Sequence, residues 1–279
     1  MADANRKGQG ARRLIVHLGV QKTGSTSIQR HLRRNEDALA GDLVVRTPEE
    51  GSPMRPLGRA AVGFSLAPDK DREQALKLAF REVLEGLPQT DVPVLISHEN
   101  LAGAMPGNGG EVRLYPALPQ IAALLVAEAR DFAVDFVVYT RKQKTWRPSV
   151  WAQAVRTDGY ERSLVEFEAE TADLPGWGDL IRRLNAETGG RVTRFKLEDE
   201  DDLLRPGRQL LRHAGLDDAL IDSLDPLDGP TNSRLNDGAT EFLRRLNGLS
   251  LNPHAHGRIV DLVARTEHLF AADAPQGTS

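Results

Sequence analysis

The stretch LIVHLGVQKTGSTSIQRHL, residues 14 to 32, joins an apolar run to a helical pattern through a turn that carries a lysine, glycines and several hydroxyl residues. Leu14 to Val20 has the composition of a strand buried on both faces, and Ile28 and Leu32 share one face of the helix that follows. Ser25 or Thr26 is expected to cap this helix. Because the N–H groups at a helix start attract anions, the stretch predicts a phosphate-binding loop.

The rest of the chain alternates between strand and helix patterns. Further strands are predicted at Val92 to Ser97, Val134 to Thr140 and Arg191 to Leu197, and helices at Asp71 to Leu87, Leu118 to Arg130 and Leu203 to Ala214. This alternation predicts an α/β fold with a central, mainly parallel sheet flanked by helices. The Gly- and Pro-rich stretches Arg46 to Gly63 and Gly103 to Gly110 are expected to be loops, of the kind that gather at the ligand-binding edge of such a sheet.

The composition of the chain excludes several kinds of partner and chemistry. The chain has 279 residues, a formal net charge of −4 and no cysteine. The acidic balance argues against a general nucleic-acid partner, and the lack of cysteine excludes disulfides and thiolate chemistry. No apolar stretch is long enough for membrane insertion and no secretory leader is evident, so a cytoplasmic location is expected. We expect one α/β domain over residues 13–271, between flexible tails at 1–12 and 272–279.

The loop differs from the phosphate loop of ATP- and GTP-hydrolysing enzymes. In the pattern G-x-x-x-x-G-K-[ST] a lysine follows the second glycine, whereas here Gly19 and Gly24 have the right spacing but Ser25 stands in the lysine position. The lysine is Lys22, inside the loop. None of the predicted strands ends in the aspartate that would hold magnesium. The sequence therefore predicts a phosphate cradle without a dedicated metal site.

Two spaced motifs resemble one enzyme family. Lys22, Thr23, Gly24, Ser25 and Thr26 after a strand resemble the 5′-phosphosulfate loop of sulfotransferases that use 3′-phosphoadenosine 5′-phosphosulfate (PAPS). In this family, a strand that ends in arginine is followed eight positions later by serine, and Arg141 and Ser149 have that spacing. The run Ser149 to Gln153 and the segment TNSRLNDGATEFLRRLN, residues 231 to 247, resemble bacterial, carbohydrate-type members.

The resemblance implies a fold, a co-substrate and a set of binding residues. The fold would be a three-layer sandwich like that of the P-loop-containing nucleotide hydrolases. PAPS would be the co-substrate and adenosine 3′,5′-bisphosphate (PAP) the product, with no metal required. The resemblance assigns the 5′-phosphosulfate to the loop residues Lys22, Thr23, Gly24, Ser25 and Thr26, and the 3′-phosphate to Arg141 and Ser149. Trp146 and Trp151 are candidates for stacking on adenine, but ordinary packing at the end of the third predicted strand is the favoured role of each.

The same resemblance implies the catalytic groups. Lys22 would stabilise the charge that develops on the leaving phosphate, and a general base would take the acceptor proton. Glu99 is the favoured base and His98 the second candidate, since both follow the second predicted strand. The acceptor would be a hydroxyl or amine of a glycan, a glycolipid or a small molecule. The oligomeric state stays open.

Two other functions are compatible with these residues. One is a P-loop-type nucleotide kinase or NTPase with a displaced lysine, which would require magnesium and ATP. The other is a non-catalytic nucleotide-binding module, because a fold does not fix a function.

Overall fold

The computed structural model describes residues 11–229, 235–250 and 252–271, which form two compact units. The first contains residues 11–103, 115–141 and 175–229. The second contains the described parts of 104–114, 142–174 and 232–271. Residues 1–10 and 272–279, which make up most of the predicted tails, lie outside the described residues. So do residues 231–234 of the segment that resembles bacterial sulfotransferases.

The first unit is built on a parallel sheet. The described strands are β1 (Arg12–Leu18), β2 (Val44–Arg46), β3 (Val94–His98), β4 (Phe132–Thr140) and β5 (Val192–Lys196). They are all parallel and lie in the order β2-β3-β1-β4-β5. The predicted α/β class and parallel sheet are confirmed, and four of these strands correspond to the predicted ones.

Helices connect the strands and continue into the second unit. Those of the first unit are α1 (Ser25–Arg34), α2 (Glu36–Leu39), α3 (Met54–Leu66), α4 (Lys70–Glu85) and α5 (Leu118–Glu128), followed later in the chain by three more. The chain then gives α6 (Gln143–Thr157) and α7 (Leu164–Glu170) to the second unit, and returns to the first for α8 (Trp177–Thr188), α9 (Arg208–Ala214) and α10 (Asp218–Ser223). The second unit ends with α11 (Asp237–Asn247) and α12 (Pro253–Arg265).

Both faces of the sheet are covered, as a parallel sheet requires. On one face, Ile15, Leu95, Val137 and Tyr139 pack in a core with residues of α1, α2, α9 and α10. The alternate strand residues are equally buried, among them Leu14, Val16, Leu18, Ile96, Phe136 and Val138. This burial explains why β1, β3 and β4 are nearly continuous apolar runs and not alternating ones.

Three local predictions were wrong. The stretch Arg46 to Gly63 is not one long loop, because it contains the end of β2 and most of α3. The helix predicted from Leu203 begins only at Arg208. Neither Ser25 nor Thr26 caps α1, whose N-cap residue is Gly24. The stretch Gly103 to Gly110 contains no helix or strand, as predicted.

The second unit is helical in its described part. Ser163 and Glu166 form a reciprocal capping box at the start of α7, in which each side chain binds the backbone N–H of the other residue. Asn247 at the end of α11 donates to the carbonyls of Val155 and Tyr160 at 2.7 and 3.1 Å. The Asn247 contacts join the end of α11 to α6 and to the residues that follow α6.

Candidate functional site

The loop between β1 and α1 lies at the carboxyl edge of the sheet and is held to β3. Gly19 N donates to His98 O at 3.1 Å. A β-carbon at Gly19 would lie 2.6 Å from Glu99 Cα, so only glycine fits this close approach. The loop therefore begins in direct contact with the residues that follow β3.

The hydroxyls inside the loop brace its backbone. Thr23 Oγ1 and Ser25 Oγ both donate to Val20 O, at 2.6 and 3.2 Å. Both side chains are buried, whereas Thr26 is exposed. In this conformation, Thr23 and Ser25 shape the loop, and Thr26 is the loop hydroxyl that faces solvent.

The start of α1 offers backbone N–H groups. No side chain caps this end of the helix, and the first helical hydrogen bond runs from Ile28 N to Gly24 O at 3.1 Å. The N–H groups of Ser25, Thr26 and Ser27 precede that bond, as the first donors of any helix do. Together with the helix dipole, they make the end of the loop suitable for an anion.

Two residues of the loop have left-handed backbone conformations. Lys22 has φ 64° and Gly24 has φ 90° with ψ 0°. Successive turns of this kind bring backbone N–H groups to one concave side, which is a known anion-binding arrangement. A lysine pays an energetic cost in this conformation, and such strain is found preferentially at functional sites.

The structure brings Arg141 to the same loop. Arg141 follows β4, which lies next to β1 in the sheet. Its guanidinium Nη1 donates to Lys22 O at 3.5 Å, and its own carbonyl accepts a bond from Trp177 Nε1 at 2.6 Å. Two cationic side chains that are far apart in the sequence thus belong to one edge of the first unit.

His98 is buried at the end of β3. It is 2 % exposed, and its Nδ1 accepts a hydrogen bond from Asn100 N at 3.0 Å. This acceptor role assigns the ring proton to Nε2, which is buried and makes no hydrogen bond. Burial lowers the pKa of His98, and the Glu99 carboxylate opposes this effect. His98 is therefore a neutral ring packed against α3.

Glu99 has a different environment. It begins a 3₁₀ turn, Glu99–Ala102, directly after His98, and its side chain is only partly buried. Its Oε2 is nevertheless buried and has no hydrogen-bond partner. An oxygen in this state is available to accept a hydrogen bond from a bound molecule, since burial of a polar atom without a partner is costly.

The remaining predicted residues lie in the second unit. Ser149 is in α6, and its hydroxyl donates to Thr145 O one turn earlier at 3.1 Å. Trp146 and Trp151 are buried, and Trp151 Nε1 donates to Arg162 O at 3.0 Å. In this conformation, both tryptophans contribute to packing.

One contact of the loop was not predicted. The side-chain amide of Gln21 contacts Gly103 and Tyr115, and Tyr115 is 94 positions away in the sequence. No sequence motif marks this pair. Within the described residues, no group of His, Asp and Glu side chains could hold a metal ion, and no helix is long and apolar enough to cross a membrane.

Comparison with models of protein families, with curated proteins and with solved structures gave no match. The geometry of the first unit and the sequence motifs are therefore the basis for the function proposed below.

Proposed function

We propose that this protein is a PAPS-dependent sulfotransferase with a three-layer fold of the P-loop-like type. One observation carries the proposal: the loop at the start of α1 has left-handed backbone at Lys22 and Gly24, and Arg141 donates to the carbonyl of Lys22. A doubly phosphorylated nucleotide needs such a combination of backbone donors and separate cations.

The transfer is an in-line displacement at sulfur. The acceptor oxygen attacks the sulfur atom of PAPS, its proton passes to Glu99, and the bond between sulfur and the bridging phosphate oxygen breaks. The departing oxygen becomes part of the 5′-phosphate of PAP and carries the developing negative charge. Lys22 stabilises that charge, and the N–H groups at the start of α1 hold the phosphate.

Glu99 is the proposed general base because its Oε2 is buried without a partner. His98 is less suited to this role, since Nδ1 already accepts a hydrogen bond and Nε2 faces α3 at Gly58. We assign His98 to positioning the turn that carries Glu99. The proposed role of Ser149 in binding the 3′-phosphate is supported by the sequence resemblance alone.

The first test is nucleotide binding without metal. Saturating PAP in the presence of EDTA should raise the melting temperature, because a ligand that binds only the folded state stabilises it by about 3 kcal/mol at a hundredfold excess over Kd. A shift that requires ATP and magnesium would favour a kinase or NTPase instead. Binding of PAP without transfer of radiolabelled sulfate to acceptors in a bacterial extract would favour a non-catalytic module.

The second test distinguishes the role of Lys22 from that of Arg141. Lys22→Ala should lower kcat by at least about a hundredfold and change the Kd of PAP much less, because its charge is used mainly in the transition state. Arg141→Ala should instead weaken PAP binding. Lys70→Ala, an exposed lysine at the start of α4, is the control and should change neither quantity. Unchanged kcat in Lys22→Ala would refute the role of this lysine.

The third test decides whether Glu99 or His98 is the general base. Glu99→Gln should lower kcat by about a hundredfold or more with PAP affinity retained. His98→Asn should lower thermal stability and leave the acidic limb of the pH-rate profile in place. Loss of that limb in His98→Asn, with an active Glu99→Gln, would assign the base to His98.

A further inference from the structure

Two non-glycine residues of the described chain have positive φ, and one side chain connects them. These residues are Lys22, at φ 64°, and Tyr115, at φ 45°. Gln21, which precedes Lys22, accepts a hydrogen bond from Tyr115 Oη at 2.8 Å. Because each of these conformations is costly, the surrounding structure must maintain both of them.

The orientation of the Gln21 amide follows from its two partners. Gly103 O can only accept, so the nitrogen Nε2 faces it, at 3.0 Å. The oxygen Oε1 then faces Tyr115, whose hydroxyl must be the donor. Gln21 is thus fixed at both ends of its amide by chain segments that lie outside the loop.

Tyr115 is itself firmly held. Its side chain is 1 % exposed, and burial raises the pKa of its hydroxyl, which keeps it a neutral donor. Its carbonyl accepts from Arg183 Nη1 at 3.3 Å, and Arg183 Nε pairs with Asp179 Oδ2 at 2.8 Å in α8. Hydrogen bonds therefore connect Gln21, through Tyr115, to α8 of the first unit.

Lys22 lies between two fixed residues. Gln21 is held by Gly103 and Tyr115, and Thr23 is held by its bond to Val20 O at 2.6 Å. Such restraint on both sides leaves the backbone of Lys22 little freedom to relax from the left-handed region.

We propose that Gln21 and Tyr115 are positioning residues which fix the backbone conformation of Lys22, and through it the location of the lysine ammonium group in the transition state. The effect on catalysis rests on the sulfotransferase function proposed above. The effect on the backbone of Lys22 does not depend on it.

The test compares two buried tyrosines. Tyr115→Phe removes the bond to Gln21 and keeps the ring. The matched control is Tyr139→Phe, which removes a buried hydroxyl that donates to Glu200 Oε1 at 2.5 Å. Solution NMR measures the amide, Cα and Cβ shifts of Lys22 and Gly24, because these shifts depend on backbone conformation. We expect them to move in Tyr115→Phe and to stay at wild-type values in Tyr139→Phe.

The kinetic measurement uses PAPS and PAP. In Tyr115→Phe, kcat for sulfate transfer should fall about tenfold, while the Kd of PAP should change less than about twofold, because a small displacement of a catalytic group lowers rate more than binding. Absence of transfer in the wild type would refute the sulfotransferase function. The NMR comparison would still decide whether the hydrogen bond between Tyr115 and Gln21 fixes the backbone of Lys22.

A second variant addresses the case in which Tyr115→Phe folds poorly. Gln21→Met removes both amide hydrogen bonds from a partly exposed position at similar size. It should shift the same Lys22 signals. The double variant Gln21→Met/Tyr115→Phe should show shifts little larger than those of either single variant, because both substitutions remove the same interaction. Wild-type Lys22 signals in both single variants, or full additivity in the double variant, would overturn the proposal.

Discussion

Gly24 combines a left-handed backbone with a close neighbour. Its φ is 90°, and a β-carbon would lie 2.7 Å from Leu197 Cδ1. We expect Gly24→Ala to lower the free energy of unfolding by about 2 kcal/mol. We also expect it to weaken PAP binding, because the N–H groups of the loop would move. Urea unfolding and calorimetric titration measure these two effects.

Gly51 provides the control for this prediction. It has φ 77°, and a β-carbon there would meet no atom within 4 Å. Gly51→Ala should therefore show only the backbone cost, about 1 kcal/mol, with normal PAP binding. Equal effects of the two substitutions on stability and binding would contradict a special role of Gly24.

At the residue scale, the sequence indicated which residues form the loop better than it indicated which residues they contact. The lysine and glycine of the loop and the arginine after β4 were singled out by the resemblance to sulfotransferase motifs, and the structure joins Lys22 and Arg141 by a hydrogen bond. The expected cap at Ser25 was wrong because its hydroxyl donates back to Val20 O. The contact of Gln21 with Tyr115 could not be predicted, since it depends on how distant segments fold together.

At the element scale, the start of α9 depends on a remote carboxylate. No residue of the helix caps this end, and Glu200 accepts from the N–H groups of Gly207 and Arg208, both at 3.0 Å, and of Gln209 at 3.4 Å. Tyr139 Oη also donates to Glu200. Glu200 therefore replaces the local cap that the sequence does not supply.

Replacing this carboxylate should destabilise α9. In Glu200→Gln, the free energy of unfolding should fall by about 2 kcal/mol, because one acceptor and a charge at the helix start are lost. Amide exchange should accelerate first in α9. Glu187→Gln, an exposed change in α8, is the control. A stability equal to wild type in Glu200→Gln would show that the carboxylate does not support the helix.

The helices and strands that the sequence failed to indicate have physical explanations. β2 spans only Val44–Arg46, which is too short for an alternation pattern. α3 was predicted as a loop because of its proline and glycines. Pro56 lies in the first turn, where a missing N–H costs little, and a β-carbon at Gly58 would lie 2.2 Å from His98 Nε2. The absence of a side chain at Gly58 thus allows His98, at the end of β3, to pack against α3.

At the scale of the whole molecule, buried histidines should make the fold sensitive to acid. Burial lowers the pKa of His17 to about 4, and it also lowers the pKa of His31 and His98. The unfolded chain takes up these protons below about pH 6.5, whereas folded His17 stays neutral down to about pH 4. The unfolded state therefore binds more protons in this interval, and stability falls as the pH falls.

His17 alone should account for about 3 kcal/mol of this loss between pH 6.5 and pH 4. His17→Asn keeps a polar partner for Ser97 Oγ, which lies 2.8 Å from His17 Nδ1, and it should flatten the decline. Urea unfolding at pH 7 and pH 5 measures the difference. Tyr115→Phe should lower stability at both pH values without changing the slope. A slope in His17→Asn as steep as in wild type would exclude this histidine as the cause.

The central position of β1 has a consequence for synthesis on the ribosome. β1 lies between β3 and β4, and its contacts span the chain: Arg12 binds Val92, 80 positions away, and Arg13 binds Asp135, 122 positions away. The strand that carries the Lys22 loop is made before both of its neighbours, and it gains the second one only after β4 has emerged. Until then, the edge of this apolar strand that later pairs with β4 is open, and such delayed pairing favours slow folding and aggregation. A nascent chain that ends before residue 132 should therefore depend on chaperones that cover β1.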